Sequence, residues 1–199
     1  MLSACMIVQD EEVCVARVLS CIHDYVDEII LVDGGSVDRT KEIASSFPKV
    51  KIFDIPFPDD FGIARNNSIE LASGEWIFII DADEYCEPYF LRQFGRLIST
   101  TEFDAYSFVR LTVIDGNLYN IFADNDDRTY RLFRNHCRYS GKLHEQVHNI
   151  RNSVKLNMYI VHDKTSVWQQ KDNEKFWRMG QEMPTDWFYD KESDKFYKV

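Results

Sequence analysis

Two aspartates close the segment Trp76-Ile77-Phe78-Ile79-Ile80-Asp81-Ala82-Asp83-Glu84. They stand two apart, directly after an apolar, strand-like run. In extended backbone both carboxylates would point to one side. Two carboxylates aimed together make a hard-oxygen site for Mg2+ or Mn2+. Such an ion could grip a diphosphate in turn. The triplet alone is a weak signal, because a solvated loop can carry the same letters, but the strand in front of it raises its weight. A second constellation names a different chemistry. His144-Glu145-Gln146-Val147-His148 spells HExxH. On a helix its two histidines would share a face, bind zinc and leave the glutamate as base, as in a metallopeptidase. Against that, Gly141 stands just before it, strand-like segments flank it, and Glu174 or another late acid would have to complete the ligand set.

The charge balance narrows the field. The 199 residues include 33 acidic and 23 basic side chains, a formal net charge of −10. A general nucleic-acid binder would show a basic surface instead. A phosphate-bearing substrate would need imported positive charge, and a divalent cation is the natural source. Hydrophobic residues at 45% and charged residues at 28% are ordinary for a globular chain, and the length suits one domain with a small appendage. Cys5, Cys14, Cys21, Cys86 and Cys137 form no CxxC and read as small buried thiols of a reducing compartment. No apolar run exceeds five residues, far short of the roughly 20 that span a bilayer. The first residues show neither the basic start nor the cleavage site of a signal peptide. The expected location is therefore cytoplasmic, with the inner face of the cell membrane left open.

The elements that must position these groups follow from periodicity. Leu2 to Val8 is nearly all apolar, as a strand buried on both faces would be. Val15, Val18, Leu19 and Ile22 keep helical spacing after the acidic Asp10-Glu11-Glu12. Glu28 to Val32 predicts a second strand, ending in Asp33-Gly34-Gly35-Ser36. Asp38 suits an N-cap for a helix through Ser46. Val50 to Ile55 predicts a third strand. Gly62 to Ala72 predicts a helix with Ile63, Ile69 and Ala72 inward, ended by Ser73-Gly74. Glu75 to Ile80 predicts the fourth strand. This alternation calls for a parallel sheet with right-handed crossovers. Ligands of such sheets bind beyond the carboxyl ends of the strands, where Gln9-Asp10-Glu11, Asp33 to Ser36 and Asp81 to Glu84 all fall. Carboxylates gathered there repel one another unless something positive joins them.

The second half has another texture. Ala105 to Ile114 and Asn117 to Phe122 flank Asp115-Gly116, a hairpin signal. Thr129 to Phe133 and Val154 to Val161 predict further strands. From Val167 the chain is rich in aromatic and charged residues and predicts a helix and an extended end. The organisation expected is an α/β half over residues 1–90, an acceptor-side mixed β half over 91–165, and a tail over 166–199. The aromatic tail suits core cover first, then a sugar-stacking platform or a subunit contact.

In this order the chain resembles a family 2 glycosyltransferase with the GT-A fold, a Rossmann-like, mainly parallel α/β sheet with a mixed β extension. The likeness rests on Met6-Ile7-Val8-Gln9-Asp10-Glu11-Glu12, on Ile29 through Asp33-Gly34-Gly35-Ser36-Val37-Asp38-Arg39-Thr40, on Ala64-Arg65-Asn66-Asn67 through Trp76, and on Asp81-Ala82-Asp83-Glu84. Beyond residue 90 it thins. Arg131-Leu132-Phe133-Arg134 and Gly141-Lys142-Leu143-His144-Glu145 are similar to segments of bacterial members that act on lipopolysaccharide core or other cell-surface glycans. The family often carries Lys-Asn where this chain has Gln9-Asp10, and the chain is short for the family.

The resemblance implies an inverting, metal-dependent transfer of a sugar from a nucleotide-diphospho-sugar, UDP-hexose by default, to an acceptor hydroxyl on a glycan, a lipid-linked glycan or a protein. It places Val8, Asp10, Asp33, Arg65, Asp81 and Ala82 at the nucleotide sugar. It makes Asp83 the direct ligand of Mn2+ or Mg2+, with Asp81 and His162 beside it. Glu145 becomes the candidate general base, with Asp124, Asp126 and Asp127 as rivals. Peripheral membrane contact and a homodimer stay open, as does a non-catalytic sugar-nucleotide-binding subunit. Two further classes fit less well. A haloacid-dehalogenase-type phosphatase carries its acidic pair after the first strand, not the fourth. A nucleotidyltransferase would show a basic, Gly-rich loop where Gln9-Asp10-Glu11-Glu12 stands.

Overall fold

In strand β1 (Leu2–Val8) all residues but Ile7 are buried, which requires strands on both edges and cover on both faces. The computed structural model, which describes residues 1–118, 128–179, 187–190 and 195–198, supplies both. Parallel partners lie on either side of β1: β2 (Glu28–Asp33), itself followed by β3 (Val50–Asp54), and β4 (Trp76–Ile79). Helices α1 (Val15–Ile22), α2 (Thr40–Ser45) and α3 (Phe61–Glu70) make the crossovers. The helical stripe of α1 is buried as its spacing predicts: Val15, Val18, Leu19 and Ile22 are wholly inside. In α3 one expectation fails. Ile69 is buried, but Ile63 is 51% exposed and the inward face carries Gly62, Arg65 and Ser68 instead. Gly62 meets the Gly141 backbone and Arg65 the carboxylates of Asp81 and Glu145, while Ile69 joins the apolar core.

The sheet continues as β8 (Arg128–Arg134), β6 (Ala105–Ile114), β11 (Ser153–Lys164) and β5 (Glu84–Cys86), giving the order β3-β2-β1-β4-β8-β6-β11-β5. A short strand β7 (Asn117–Leu118) pairs with β6. Here the pairing is mixed: β8 runs antiparallel to β4 and β6, β11 parallel to β6, and β5 antiparallel to β11. The hairpin between β6 and β7 forms where expected. Asp115 and Gly116 both take positive φ, 49° and 78°, as the two-residue turn matched to strand twist requires. Helices α4 (Pro88–Leu91) and α5 (Phe94–Ile98) follow β5 and set Phe90 and Phe94 edge-on to Phe78 or Phe108 at 4.7–4.8 Å between centroids.

The HExxH segment is not a helix. Gln146–His148 is strand β10, paired antiparallel with β9 (Arg138–Ser140), and His144 sits at φ 53° outside any helix. Without helical i, i+4 stacking the two histidines lose the geometry that zinc ligation needs, and the metallopeptidase reading falls.

The described chain separates into two compact units, Met1–Lys164 and Thr165–Val199. Within the second, helix α6 (Ser166–Arg178) is followed by the antiparallel strands β12 (Trp187–Asp190) and β13 (Lys195–Lys198). No helix among the described residues is long and apolar enough to cross a membrane.

Candidate functional site

Because β1, β2 and β4 are parallel, the turns after them open on one edge of the sheet. The first two turns are laced together. Asp10, at φ 59°, receives the Val37 N–H on its Oδ1 at 2.8 Å, while its own N–H donates to Ser36 Oγ at 2.9 Å. The Glu12 N–H donates to Asp38 Oδ2, and the Arg39 N–H to Glu12 Oε2. Asp38 accepts from the Thr40 N–H in the turn before α2, but it is not the N-cap expected of it: Arg39 takes that position, without a side-chain cap bond. Asp10 thus holds two turns in register, a role its sequence position did not announce.

Asp33 ends β2 and is wholly buried. Its Oδ1 accepts the Gly35 and Ser36 N–H groups at 2.9 and 2.7 Å. Its Oδ2 has no hydrogen-bond partner among the described residues. A buried acceptor without a donor is costly, and a ligand N–H or O–H would relieve it. Val8 lies beside it in register, and the Val8 carbonyl accepts the Gly34 N–H at 2.8 Å.

After β4 the backbone does not stay extended. The Glu84 N–H reaches the Asp81 carbonyl at 3.1 Å, so residues 81–84 form a turn, with Ala82 buried inside it. The expectation that Asp81 and Asp83 aim together fails for this reason, and the two carboxylates take different partners. Asp81 lies between two arginines. Arg65 grips it with paired bonds of 2.7 and 3.2 Å, and both terminal nitrogens of Arg131 reach its Oδ2 at 3.2 Å. Arg131 goes on to Glu84 Oε1 at 2.6 Å, and Glu84 Oε2 accepts the Asp81 N–H. Arg65 Nε goes on to Glu145 Oε1 at 2.6 Å. The result is a chain of alternating charge, Glu145–Arg65–Asp81–Arg131–Glu84. Burial alone would raise the Asp81 carboxyl, but the two guanidiniums hold it well below the usual carboxylate range.

Asp83 turns the other way. The pairing of β5 with β11 sets Glu84 opposite His162, and the Asp163 N–H donates to the Asp83 carbonyl. His162 Nε2 then lies 3.0 Å from Asp83 Oδ2, with Lys164 Nζ 3.8 Å from the same oxygen. One carboxylate oxygen and one imidazole nitrogen at that separation suit two adjacent ligands of an octahedral ion, whose corners at about 2.1 Å from the metal are about 3 Å apart. Among the described residues no group of three or more His, Cys, Asp and Glu side chains is gathered closely enough to hold a metal. Asp81, committed to its arginines, does not complete a triad with Asp83 and His162.

Glu145 is carried on a segment docked against α3. Phe61, Gly62, Arg65 and Asn66 share the α3 face that meets it. The Phe61 N–H donates to the Lys142 carbonyl, and Gly62 lies so close to Gly141 that a Cβ there would come within 2.7 Å of its carbonyl oxygen. Asn66 binds the Tyr139 backbone twice. Sequence reasoning missed Asn66, Arg131, Glu84 and Lys164 as parts of the site. Asn66, Glu84 and Arg131 each stood in a quoted motif without a role; Lys164 stood in none. Asp124, Asp126 and Asp127 lie outside the described residues.

The family described as Glycosyl transferase family 2 matches residues 3–160. A TPR repeat-containing protein of Synechococcus elongatus is 36% identical over 148 residues, covering 73% of this chain and 35% of that one. The SPbeta prophage-derived glycosyltransferase SunS of Bacillus subtilis is 30% identical over 158 residues, covering 78% and 36% respectively. The chain thus spans about a third of the length of these relatives. Among solved structures, S. aureus TarS 1-349 in complex with UDP-GlcNAc has a TM-score of 0.62 at 15% identity, over 82% of this chain and 58% of that one. The same protein in complex with UDP gives 0.63. At that identity the likeness shows the fold.

Proposed function

Since the chain belongs to glycosyl transferase family 2 and has the GT-A fold of its structural neighbours, we propose that it transfers a sugar from a nucleotide-diphospho-sugar to an acceptor hydroxyl, with inversion. UDP-hexose is the donor we favour, by family likeness and because TarS is described in complex with UDP-GlcNAc. The observation that carries the reading is the 3.0 Å approach of His162 Nε2 to Asp83 Oδ2 at the carboxyl edge of the sheet, on the edge where Asp33 ends β2 with a buried oxygen that has no hydrogen-bond partner among the described residues.

The geometry supports the following roles. Asp33 Oδ2 accepts from the nucleoside. Asp83 and His162 would hold Mn2+ or Mg2+, which when bound supplies Lewis-acid stabilisation of the departing diphosphate. Asp81 does not ligate; it anchors the turn that presents Asp83. Arg65 braces Asp81 and orients Glu145. Glu145 takes the proton of the acceptor hydroxyl as the sugar passes through an oxocarbenium-like state, help typically worth about 10²–10⁴-fold. Its Oε1 is held by Arg65, so Oε2 is the oxygen assigned to the acceptor. A glycan, lipid-linked glycan or protein bearing a hydroxyl is the acceptor class.

A thermal-shift panel of UDP and UDP-GlcNAc, each with and without Mn2+, tests the reading. Metal-dependent stabilisation that Asp83→Ala abolishes and His148→Ala leaves intact is expected. The opposite response of the two variants would sink it. Donor binding with no sugar transfer to any acceptor would move the chain to the non-catalytic reading.

A further inference from the structure

One guanidinium of α1 reaches both of the strands that bring Asp83 and His162 together. Arg17 Nη1 donates to Asp163 Oδ2 at 2.6 Å, and the Arg17 guanidinium carbon lies 5.0 Å from the centroid of the Tyr85 ring. Asp163 belongs to β11 and Tyr85 to β5. Antiparallel pairing sets Tyr85 opposite Val161 and Glu84 opposite His162. Side chains alternate along a strand, so Tyr85, Val161 and Asp163 take one face, which Arg17 spans, and Glu84 and His162 take the other.

Asp163 is also tied to Asp83 through the backbone, its N–H donating to the Asp83 carbonyl at 2.9 Å. The side chain of Asp163 is therefore held by α1, while its N–H holds the residue whose carboxylate meets His162 at 3.0 Å. Little else fixes this register. β5 is three residues long and pairs with β11 over three positions. A slip of one residue would turn each β5 side chain to the other face and carry Asp83 about 3.3 Å along β11. That shift is as large as the separation of the pair itself. The Arg17 and Asp163 side chains are 41% and 34% exposed, and an ion pair so exposed contributes little to global stability. Its effect is local, on how β5 sits against β11.

Resting on the metal-holding role given above to Asp83 and His162, we propose that Arg17 is a positioning residue that locks β5 to β11 in the register joining those two side chains. Position and charge here act with opposite sign. A guanidinium near a cation site repels the ion, so by charge alone its removal would tighten the binding of Mn2+. By position its removal weakens that binding.

Thermal-shift titration of the whole chain with Mn2+ at saturating UDP tests this, reading the metal concentration that gives half of the stabilisation. Arg17→Met should raise that concentration about tenfold, the low end of what losing a group that supports a metal ligand costs. The UDP concentration for half-stabilisation at saturating Mn2+ should stay close to that of the wild type, because Arg17 touches no residue assigned to the nucleoside. Arg17→Lys keeps the pairing with Asp163 but loses the planar fork over the ring, and should fall between wild type and Arg17→Met. Arg17→Gln, which keeps a polar side chain at this exposed position, should behave as Arg17→Met and guards against a folding defect. A half-saturating Mn2+ concentration that is unchanged or lower in Arg17→Met and Arg17→Gln overturns the proposal and leaves the metal reading standing. Equal weakening of Mn2+ and UDP overturns it too, since that reports a general loosening of the site. No response of the wild type to Mn2+ at any UDP concentration overturns both.

Discussion

Asn66 and Tyr139 are joined by a two-way amide clasp: the Asn66 Nδ2 donates to the Tyr139 carbonyl at 2.9 Å, and the Tyr139 N–H donates to Asn66 Oδ1 at 2.9 Å. The clasp fixes the backbone six residues before Glu145, while Arg65, one position earlier on α3, holds the Glu145 carboxylate itself. A single helix face thus sets both the path of the segment and the direction of its acid. Asn66→Ala should cost about 1–3 kcal/mol in urea denaturation. It should lower the rate of sugar transfer with UDP affinity little changed, because Glu145 moves and the nucleotide edge does not. Equal losses in UDP affinity and rate would contradict this division of labour.

Arg131 and Glu84 form an ion pair at 2.6 Å with almost no exposure on either side. Removing one member leaves a buried charge uncompensated, which typically costs about 3–5 kcal/mol. Arg131→Met should show that loss. The double variant Arg131→Met/Glu84→Leu should recover part of it, so the two changes will be non-additive by more than about 1 kcal/mol. Strict additivity in a double-mutant cycle would show that the pair is not coupled.

Glu28 makes stability depend on acid. It is buried and accepts hydrogen bonds from Ser3 Oγ, Ser73 N–H, Ser73 Oγ and Lys51 Nζ. Burial opposes its charge, yet these donors pull its carboxyl down to about 2. The unfolded chain titrates this group near 4.3. The folded state therefore gains from ionised Glu28 above about pH 4 and loses that gain as pH falls toward 2. Glu28→Gln should be less stable than wild type by about 1–3 kcal/mol near neutral pH, with the gap closing as pH falls. A gap that does not change with pH would mean that the charge is not what stabilises.

Two glycines should respond with opposite sign. A Cβ at Gly62 would meet the Gly141 carbonyl at 2.7 Å, backbone against backbone, so Gly62→Ala must push the docked segment away and should destabilise by about 1–3 kcal/mol. At Gly95, inside α5, a Cβ meets nothing within 4 Å. Gly95→Ala should stabilise by about 0.5–1 kcal/mol through helix propensity. Denaturation midpoints of the two variants check both signs.

Much of the frame was legible in the residues because its causes are local. The α1 stripe, the buried β1, β2 and β4, and the Asp115-Gly116 turn all follow from side-chain period and backbone preference over a few positions. The three-residue strand β5 was not legible. Glu84-Tyr85-Cys86 has no alternation to read, and it is a strand only because β11 lies beside it. The HExxH letters misled for a related reason: they fit a helix, and pairing with β9 makes them a strand.

By itself the sequence determined the order of strands and helices through β4, and that acids cluster where parallel strands end. Those properties need only periodicity, turn residues and the geometry of a parallel sheet. Tertiary structure alone decided what each acid does. Asp81 meets arginines 16 and 50 residues away, Asp83 meets a histidine 79 residues away, and Glu145 meets an arginine 80 residues away. Those pairings depend on the register of β5 against β11 and on the docking of residues 139–145 against α3. Such contacts close only when the whole sheet is assembled, so no window of neighbouring residues contains them.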